Sequence, residues 1–293
     1  MHKSVLLQQT INLLNIKPNK AYLDCTLGSA GHAIEIIKKG GKLYAIDVDP
    51  SALAKARKNL EACSSFSSTD GKPFFRLHQE NFSKLKQVAK HFKLTSVDGI
   101  LMDLGLSSEQ LADKARGFSF QLDAPLDMRA DPKSAVTAAD LINGLTKGEL
   151  NELFKKLGQE QRSLSIVNHI IRARRQQPIQ SALKLAEIVR RAVPYKGKIH
   201  PATKVFQALR IAVNDELNNL RIALPQAVEL LKPGGRLAVI SFHSLEDRII
   251  KNFIKQEKNH LTNLTKKPIR PTQEEIAVNP RARSAKLRVA QKI

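Results

Sequence analysis

Four short stretches of this 293-residue chain concentrate side chains capable of chemistry. The run Asp24-Cys25-Thr26-Leu27-Gly28-Ser29-Ala30-Gly31-His32 places small residues where an apolar segment gives way to an amphipathic one. Such a turn lets a ligand approach the backbone closely and offers helix N-terminal N–H groups to negative charge. Asp47 closes the next apolar segment, and an acid at that spacing suits the two hydroxyls of a ribose. Asp103 closes a third segment in Asp103-Leu104-Gly105-Leu106-Ser107-Ser108, and His243 follows a fourth in Ser241-Phe242-His243-Ser244-Leu245-Glu246-Asp247. Each has a plainer reading when taken alone: a tight turn, a solvated acid or, for Ser244 with Asp247, an S-x-x-D helix cap. Together and in this order they predict an adenosine-containing ligand.

The elements that must position these residues follow from hydropathy. Val/Ile/Leu-rich runs of strand length at 21–25, 42–49, 74–79 and 97–105 alternate with helical spacing at 31–39, 51–62 and 83–93. That alternation predicts an α/β fold with a doubly wound, mostly parallel sheet. Every chemistry-bearing run then lies at the carboxyl end of a strand, where such sheets bind ligands. From 115 to 202 the spacing is helical only, punctuated by Pro178, Pro194 and Pro201. The strand rhythm returns at 236–242, with a helix from Ser244 and a terminal strand through Ala285, Leu287 and Val289. The expected division is a discontinuous sheet domain, 1–114 with 203–293, around a helical insert, 115–202. Pro225 should kink or restart the long amphipathic stretch from Val205 to Leu224, and 258–280 should form a long polar loop. In the glycine turn, Ala30 occupies the middle position of a dinucleotide fingerprint and no P-loop is present. A phosphate-free adenosine ligand such as S-adenosylmethionine needs only the small-residue turn and the ribose acid.

The formal charge is +21, from 48 Lys and Arg against 27 Asp and Glu, which calls for a polyanionic partner. No apolar run approaches the ~18–20 residues of a spanning helix, so nucleic acid is favoured over a membrane. Arg172, Arg174, Arg175, Arg190, Arg191, Lys196, Lys198 and Lys204 crowd into the insert with few acids between them. A solvated face is the bland account; a phosphate-tracking, RNA-binding surface is the functional one, with Arg174 and Arg175 the natural pair to reverse. Lys266, Lys267, Arg270, Arg281, Arg283, Lys286 and Arg288 could extend it. Zero Trp argues against a binder built on base stacking. Cys25 and Cys63 make no disulfide framework, and no Cys/His spacing suggests a metal, so a reducing, cytoplasmic compartment is expected. Oligomeric state is left open, with a dimer admitted.

The blocks HKSVLL (2–7), LDCTLGSAGH (23–32), DLGLSSEQL (103–111), GFSF…PLDMR (117–129), HPAT (200–203), FQALRI (206–211), LKPGGRL…ISFHSLEDRI (231–249) and NPRARS (279–284) resemble the ribosomal RNA small-subunit methyltransferase H family over nearly the whole chain. The resemblance implies a class I S-adenosylmethionine-dependent methyltransferase fold with an inserted helical domain. It implies methylation of N4 of a cytidine in the decoding region of 16S ribosomal RNA, within the 30S subunit. Carried over, the cofactor contacts are Ala30, Gly31, His32, Asp47, Phe82, Asp103 and Gln110. The sequence departs where the family usually has Gly at Ala30, Glu at Gln9, and a basic, aromatic-containing patch at 157–165. Asp103 and His243 are the candidate catalytic residues, for an exocyclic amine needs a group to accept its hydrogen bond and its proton. Asp103, His243 and water remain open as proton acceptors. Other readings are a basic ribosome-assembly factor that keeps a cofactor pocket with little turnover, a methyltransferase of another acceptor and, least favoured, a dinucleotide oxidoreductase.

Overall fold

The computed structural model describes residues 4–63, 74–121, 123–194 and 200–293. The chain opens with α1 (Leu7–Leu14), β1 (Ala21–Asp24), α2 (Gly31–Lys38), β2 (Lys42–Asp47), α3 (Pro50–Ala62), β3 (Phe75–Gln79), α4 (Leu85–Phe92) and β4 (Val97–Asp103). Helices follow: α5 (Ser108–Ala112), α6 (Ala138–Gly144), α7 (Lys147–Lys156), α8 (Ser163–Gln176), α9 (Ala182–Ala192) and α10 (Ala202–Val213). Then come α11 (Glu216–Leu230), β5 (Leu231–Ser241), α12 (Ser244–Gln256), β6 (Leu261–Asn263), α13 (Gln273–Val278) and β7 (Lys286–Lys292).

The strands form one sheet in the order β3-β2-β1-β4-β5-β7-β6, parallel except where β7 runs against both its neighbours. This is the class I methyltransferase arrangement. Period-two alternation covers both faces. Leu23, Ile46, Ile100, Met102 and Val239 pack with α4, α11 and α12 on one side. Tyr22, Leu43, Ala45, Leu101, Ala238 and Ile240 pack with α1, α2 and α3 on the other.

The chain divides into a sheet unit, up to Gly105 together with Leu217–Ile293, and a helical unit, Leu106–Glu216. The helical unit is wider at both ends than 115–202, because the FQALRI helix α10 buries Val205, Phe206, Ala208 and Leu209 in the insert's core, not the sheet's. The GFSF and PLDMR blocks tie that core: a Cβ on Gly117 would lie 1.9 Å from the Pro125 carbonyl oxygen, and Arg129 clasps Asp127 at 2.7 Å. The long amphipathic stretch breaks at Asn214-Asp215, where Asp215 takes φ 48°, and not at Pro225, which sits inside α11. Nor is 258–280 wholly loop, since it holds β6 and α13. Leu264 and Ile269 there hydrogen-bond to Val289 and Leu287 of β7. Among the described residues no helix is long and apolar enough to cross a membrane.

Candidate active site at the carboxyl end of the sheet

Three carboxyls end three adjacent strands: Asp47 on β2, Asp24 on β1 and Asp103 on β4. The β1–α2 loop is strung between them. Thr26 N–H donates to Asp24 Oδ1 at 3.0 Å, and Thr26 Oγ1 accepts from the Asp103 amide at 2.6 Å. Gly28 N–H donates to Asp47 Oδ2 at 2.8 Å, while the other oxygen of Asp47 takes the Asp49 N–H at 2.9 Å. Asp49 caps α3 through Ser51, with Pro50 at the first helical position. Ala30 precedes α2 at φ 68°, fully buried, so the methyl that replaces the family's usual glycine is held in the left-handed region. Gly31 is required by close approach: a Cβ there would lie 1.8 Å from Ser4 Oγ. Phe82 opens a 3-10 turn capped by Asn81 just beyond β3, beside the strand that carries Asp47.

Burial dominates the electrostatics. It pushes Asp24 up to about 7, with the nearby Asp47 charge adding and the Thr26 hydrogen bonds opposing. It pushes Asp47 up to about 6 against the pull of the Asp49 and Gly28 amides. Asp103 is raised well above the usual carboxylate range by burial, then by Asp24 and Glu246. About a quarter of its side chain is open to solvent, yet Oδ1 is buried and has no hydrogen-bond partner among the described residues. His32 is 5% exposed; its Nε2 meets the Val5 carbonyl at 3.2 Å and its Nδ1 lies 3.6 Å from Asp103 Oδ2.

His243 lies three residues beyond Ile240, the β5 partner of Asp103. It is the N-cap of α12: Nδ1 accepts from Glu246 N–H at 3.4 Å, and Glu246 Oε2 takes the amides of Phe242 and His243. Its Nε2 faces Glu246 Oε1 at 3.3 Å. The capping box is therefore His243 with Glu246 and not Ser244 with Asp247, one residue earlier than the S-x-x-D pattern indicates. Asp247 instead pairs with Arg288 at 2.6 Å and Lys286 at 3.1 Å, which removes both cations from the candidate basic surface.

In the helical unit, Gln110 closes a capping box with Ser107 at the start of α5. Arg172, Arg175, Arg190, Arg191 and Lys204 are exposed on α8, α9 and α10. Arg174 is half-buried and donates to the Ile142 carbonyl at 2.6 Å, so it packs the unit and is no free surface cation. Lys196 and Lys198 lie outside the described residues. Four residues escaped the sequence reading: Asp24, Thr26, Glu246 and, through its carbonyl, Val5. Only Asp24 carried a signal, as an acid inside an otherwise apolar strand.

Buried carboxyls driven towards neutrality, with one oxygen unsatisfied, are complementary to a cationic ligand and opposed to a pyrophosphate. A Cβ at Gly28 would find only the Thr26 carbonyl, at 3.9 Å, so the loop leaves room there. The donor set thus fits S-adenosylmethionine, which carries a sulfonium and no phosphate.

Comparison with known proteins agrees. A model of the MraW methylase family matches residues 1–293. The protein of Carboxydothermus hydrogenoformans named "Ribosomal RNA small subunit methyltransferase H" is 45% identical, over 100% of this chain and 98% of the relative. Proteins of the same name from Thermomicrobium roseum and Heliobacterium mobile are 45% and 42% identical, again over 100% of this chain and over 94% and 99% of theirs. On the sheet order, the carboxyl-rich strand ends and this match along its whole length, the chain belongs to the MraW methylase family and is an S-adenosylmethionine-dependent methyltransferase.

Proposed function

We propose that the chain methylates N4 of a cytidine in the decoding region of 16S ribosomal RNA, presented within the 30S subunit in the bacterial cytoplasm. The observation that carries the reading is Asp103, a strand-end carboxyl with one buried oxygen lacking a hydrogen bond. The relatives' printed names support the RNA substrate.

When bound, S-adenosylmethionine supplies a methyl group activated by a sulfonium, ready for in-line displacement. Ala30, Gly31 and His32 at the start of α2 would hold its methionine end and Asp47 its ribose, with Phe82 and Gln110 as further contacts. The acceptor amine is a poor nucleophile because its lone pair is delocalised into the cytosine ring. Asp103 accepts the N4–H hydrogen bond, which localises that lone pair, and takes the proton as the new N–C bond forms. His243 is the weaker candidate for that proton, since both its ring nitrogens face Glu246. Arg172, Arg175, Arg190, Arg191 and Lys204, extended by Lys196 and Lys198, would track phosphates and orient the RNA without reading its sequence. Choice of the cytidine then rests on RNA shape and on a base drawn out of its stack.

The test is incubation with labelled S-adenosylmethionine and undermodified 30S subunits, with methylated nucleosides identified by mass spectrometry and Asp103→Ala run alongside. N4-methylcytidine from the wild type, and at least about 100-fold less from the variant, is expected. Cofactor binding without transfer to RNA would replace this reading with the assembly-factor one. A different methylated product would replace only the acceptor.

A further inference from the structure

The segment Ser4–Leu6 lies against the loop that carries the candidate cofactor contacts, and it is tied at two points. Leu6 N–H donates to Glu275 Oε1 of α13 at 2.7 Å, and the Val5 carbonyl meets His32 Nε2 at 3.2 Å. Leu6 itself is fully buried at φ 53°, a conformation that a leucine holds only when its surroundings impose it. A carbonyl oxygen can only accept, so the Val5 contact fixes the tautomer: His32 Nε2 carries a hydrogen. The other nitrogen, Nδ1, then faces Asp103 Oδ2 at 3.6 Å. A bare imidazole lone pair opposite a bare carboxylate would repel it. One proton between the two removes that repulsion, on either partner. The other charged groups facing Asp103 are Asp24 from β1 and Glu246 from α12, both acidic, and both favour retention of that proton.

We propose that His32 is the positioning residue of Asp103, sharing one proton with it, and that the Val5 carbonyl, held in place by Glu275 through Leu6, sets the ring for that role. The inference rests on the assignment of Asp103 as acceptor of the N4 proton. With the shared proton on His32, Asp103 is a carboxylate able to accept. Without His32, Asp103 faces Asp24 and Glu246 with no compensating cation and stays protonated to higher pH. The strap also accounts for Gly31, whose missing side chain is what lets Ser4 approach.

Two substitutions divide the ring's functions, since an Asn amide nitrogen falls near the position of Nδ1 and a Gln amide nitrogen near that of Nε2. Single-turnover methyl transfer to 30S subunits is measured from pH 5.5 to 9 for wild type, His32→Asn, His32→Gln and Glu275→Ala, together with cofactor affinity. The acid limb of the rate should move up by one pH unit or more in both His32 variants, with the rate recovering at high pH. Glu275→Ala, which touches neither donor nor acceptor, should lower the rate several-fold at neutral pH with cofactor affinity changed less than twofold, and Glu275→Gln should restore it. A rate lowered equally at every pH, with the limb unmoved, overturns the proposal. A readout without turnover separates this from failure of the functional reading. In ¹⁵N-histidine spectra of the ligand-free protein, His32 should show both nitrogens protonated or Nδ1 hydrogen-bonded at pH 7, and Asp103→Asn should shift that signal. Spectra that Asp103→Asn leaves unchanged also overturn it, whatever the RNA product.

Discussion

Replacing Asp24 by Asn separates the charge of the most buried of the three carboxyls from its shape. Asp24 is 1% exposed, and its hydrogen bond from Thr26 N–H is one that an amide oxygen can keep. Burial lifts the carboxyl from 3.8 to about 7. A carboxyl harder to ionise folded than unfolded contributes stability that is intact below about pH 4 and lost as the pH climbs through 7. At ~1.36 kcal/mol per pH unit, the interval from 3.8 to about 7 puts that loss on the order of 4 kcal/mol by pH 8. Asn carries no such loss. Asp24→Asn should therefore match the wild type near pH 4 and exceed it at pH 8, by roughly 8–15 °C in Tm for a unit of this size. The assay is thermal and urea unfolding of the ligand-free protein at both pH values and fixed ionic strength. An equal offset at the two pH values would refute the reasoning, because the charge would then not be what the substitution removes. A loss of stability at pH 8 would mean that the ionised carboxyl is held by a favourable partner.

Cofactor affinity should rise from pH 6 to 8 with release of protons, since a cation favours the ionised forms of Asp24, Asp47 and Asp103; calorimetry in buffers of different ionisation heat measures it, with S-adenosylhomocysteine showing the smaller dependence. Gly31→Ala should cost about 1–3 kcal/mol of stability by driving its new methyl into Ser4, and Ser4→Gly in the same chain should recover much of it, as read by urea midpoints. Charge reversal at Arg175, Arg190 and Arg191 should weaken RNA binding and flatten its salt dependence in a filter-binding titration while leaving Tm alone. Arg174→Glu should instead lower Tm, because the guanidinium holds the Ile142 carbonyl.

The strands were legible because a parallel sheet covered on both faces demands continuous apolar runs, and β1, β2, β3 and β4 have them. The edges of the insert were harder to place. Helix α10 is amphipathic whichever unit it joins, and periodicity does not say which core receives its apolar face. The break at Asp215 was hidden for a related reason: Pro225 is the stronger breaker by residue type, yet α11 accommodates it. Within the site, Asp47 and Asp103 could be found as acids closing strands. The His243–Glu246 cap could not be separated from Ser244–Asp247 by pattern, because both satisfy the same spacing. What the sequence could not carry at all was the Val5 carbonyl on His32, a backbone contact across 27 positions.

The charge of +21 and the three buried acids belong to one electrostatic design. Among the described residues no Lys or Arg forms an ion pair with Asp24, Asp47 or Asp103, although the chain has 48 such cations to offer. Arg288 and Lys286, on the neighbouring antiparallel strand, are committed to Asp247. A permanent cation at the strand ends would lower all three carboxyls and stabilise the empty site, and in doing so would compete with a cationic donor. Keeping cations away leaves the acids strained towards neutrality until a positive ligand arrives, so part of the binding free energy is the relief of that strain. The cations placed instead on the exposed faces of α8 and α9 suit a polyanion. One chain thus meets two ligands of opposite charge by segregating its own charges, buried acids for the methyl donor and exposed bases for the nucleic acid. Moving a single lysine into the site, as Thr26→Lys would, should stabilise the ligand-free protein at pH 8 while abolishing cofactor binding. Loss of both together would show instead that the loop cannot absorb the longer side chain.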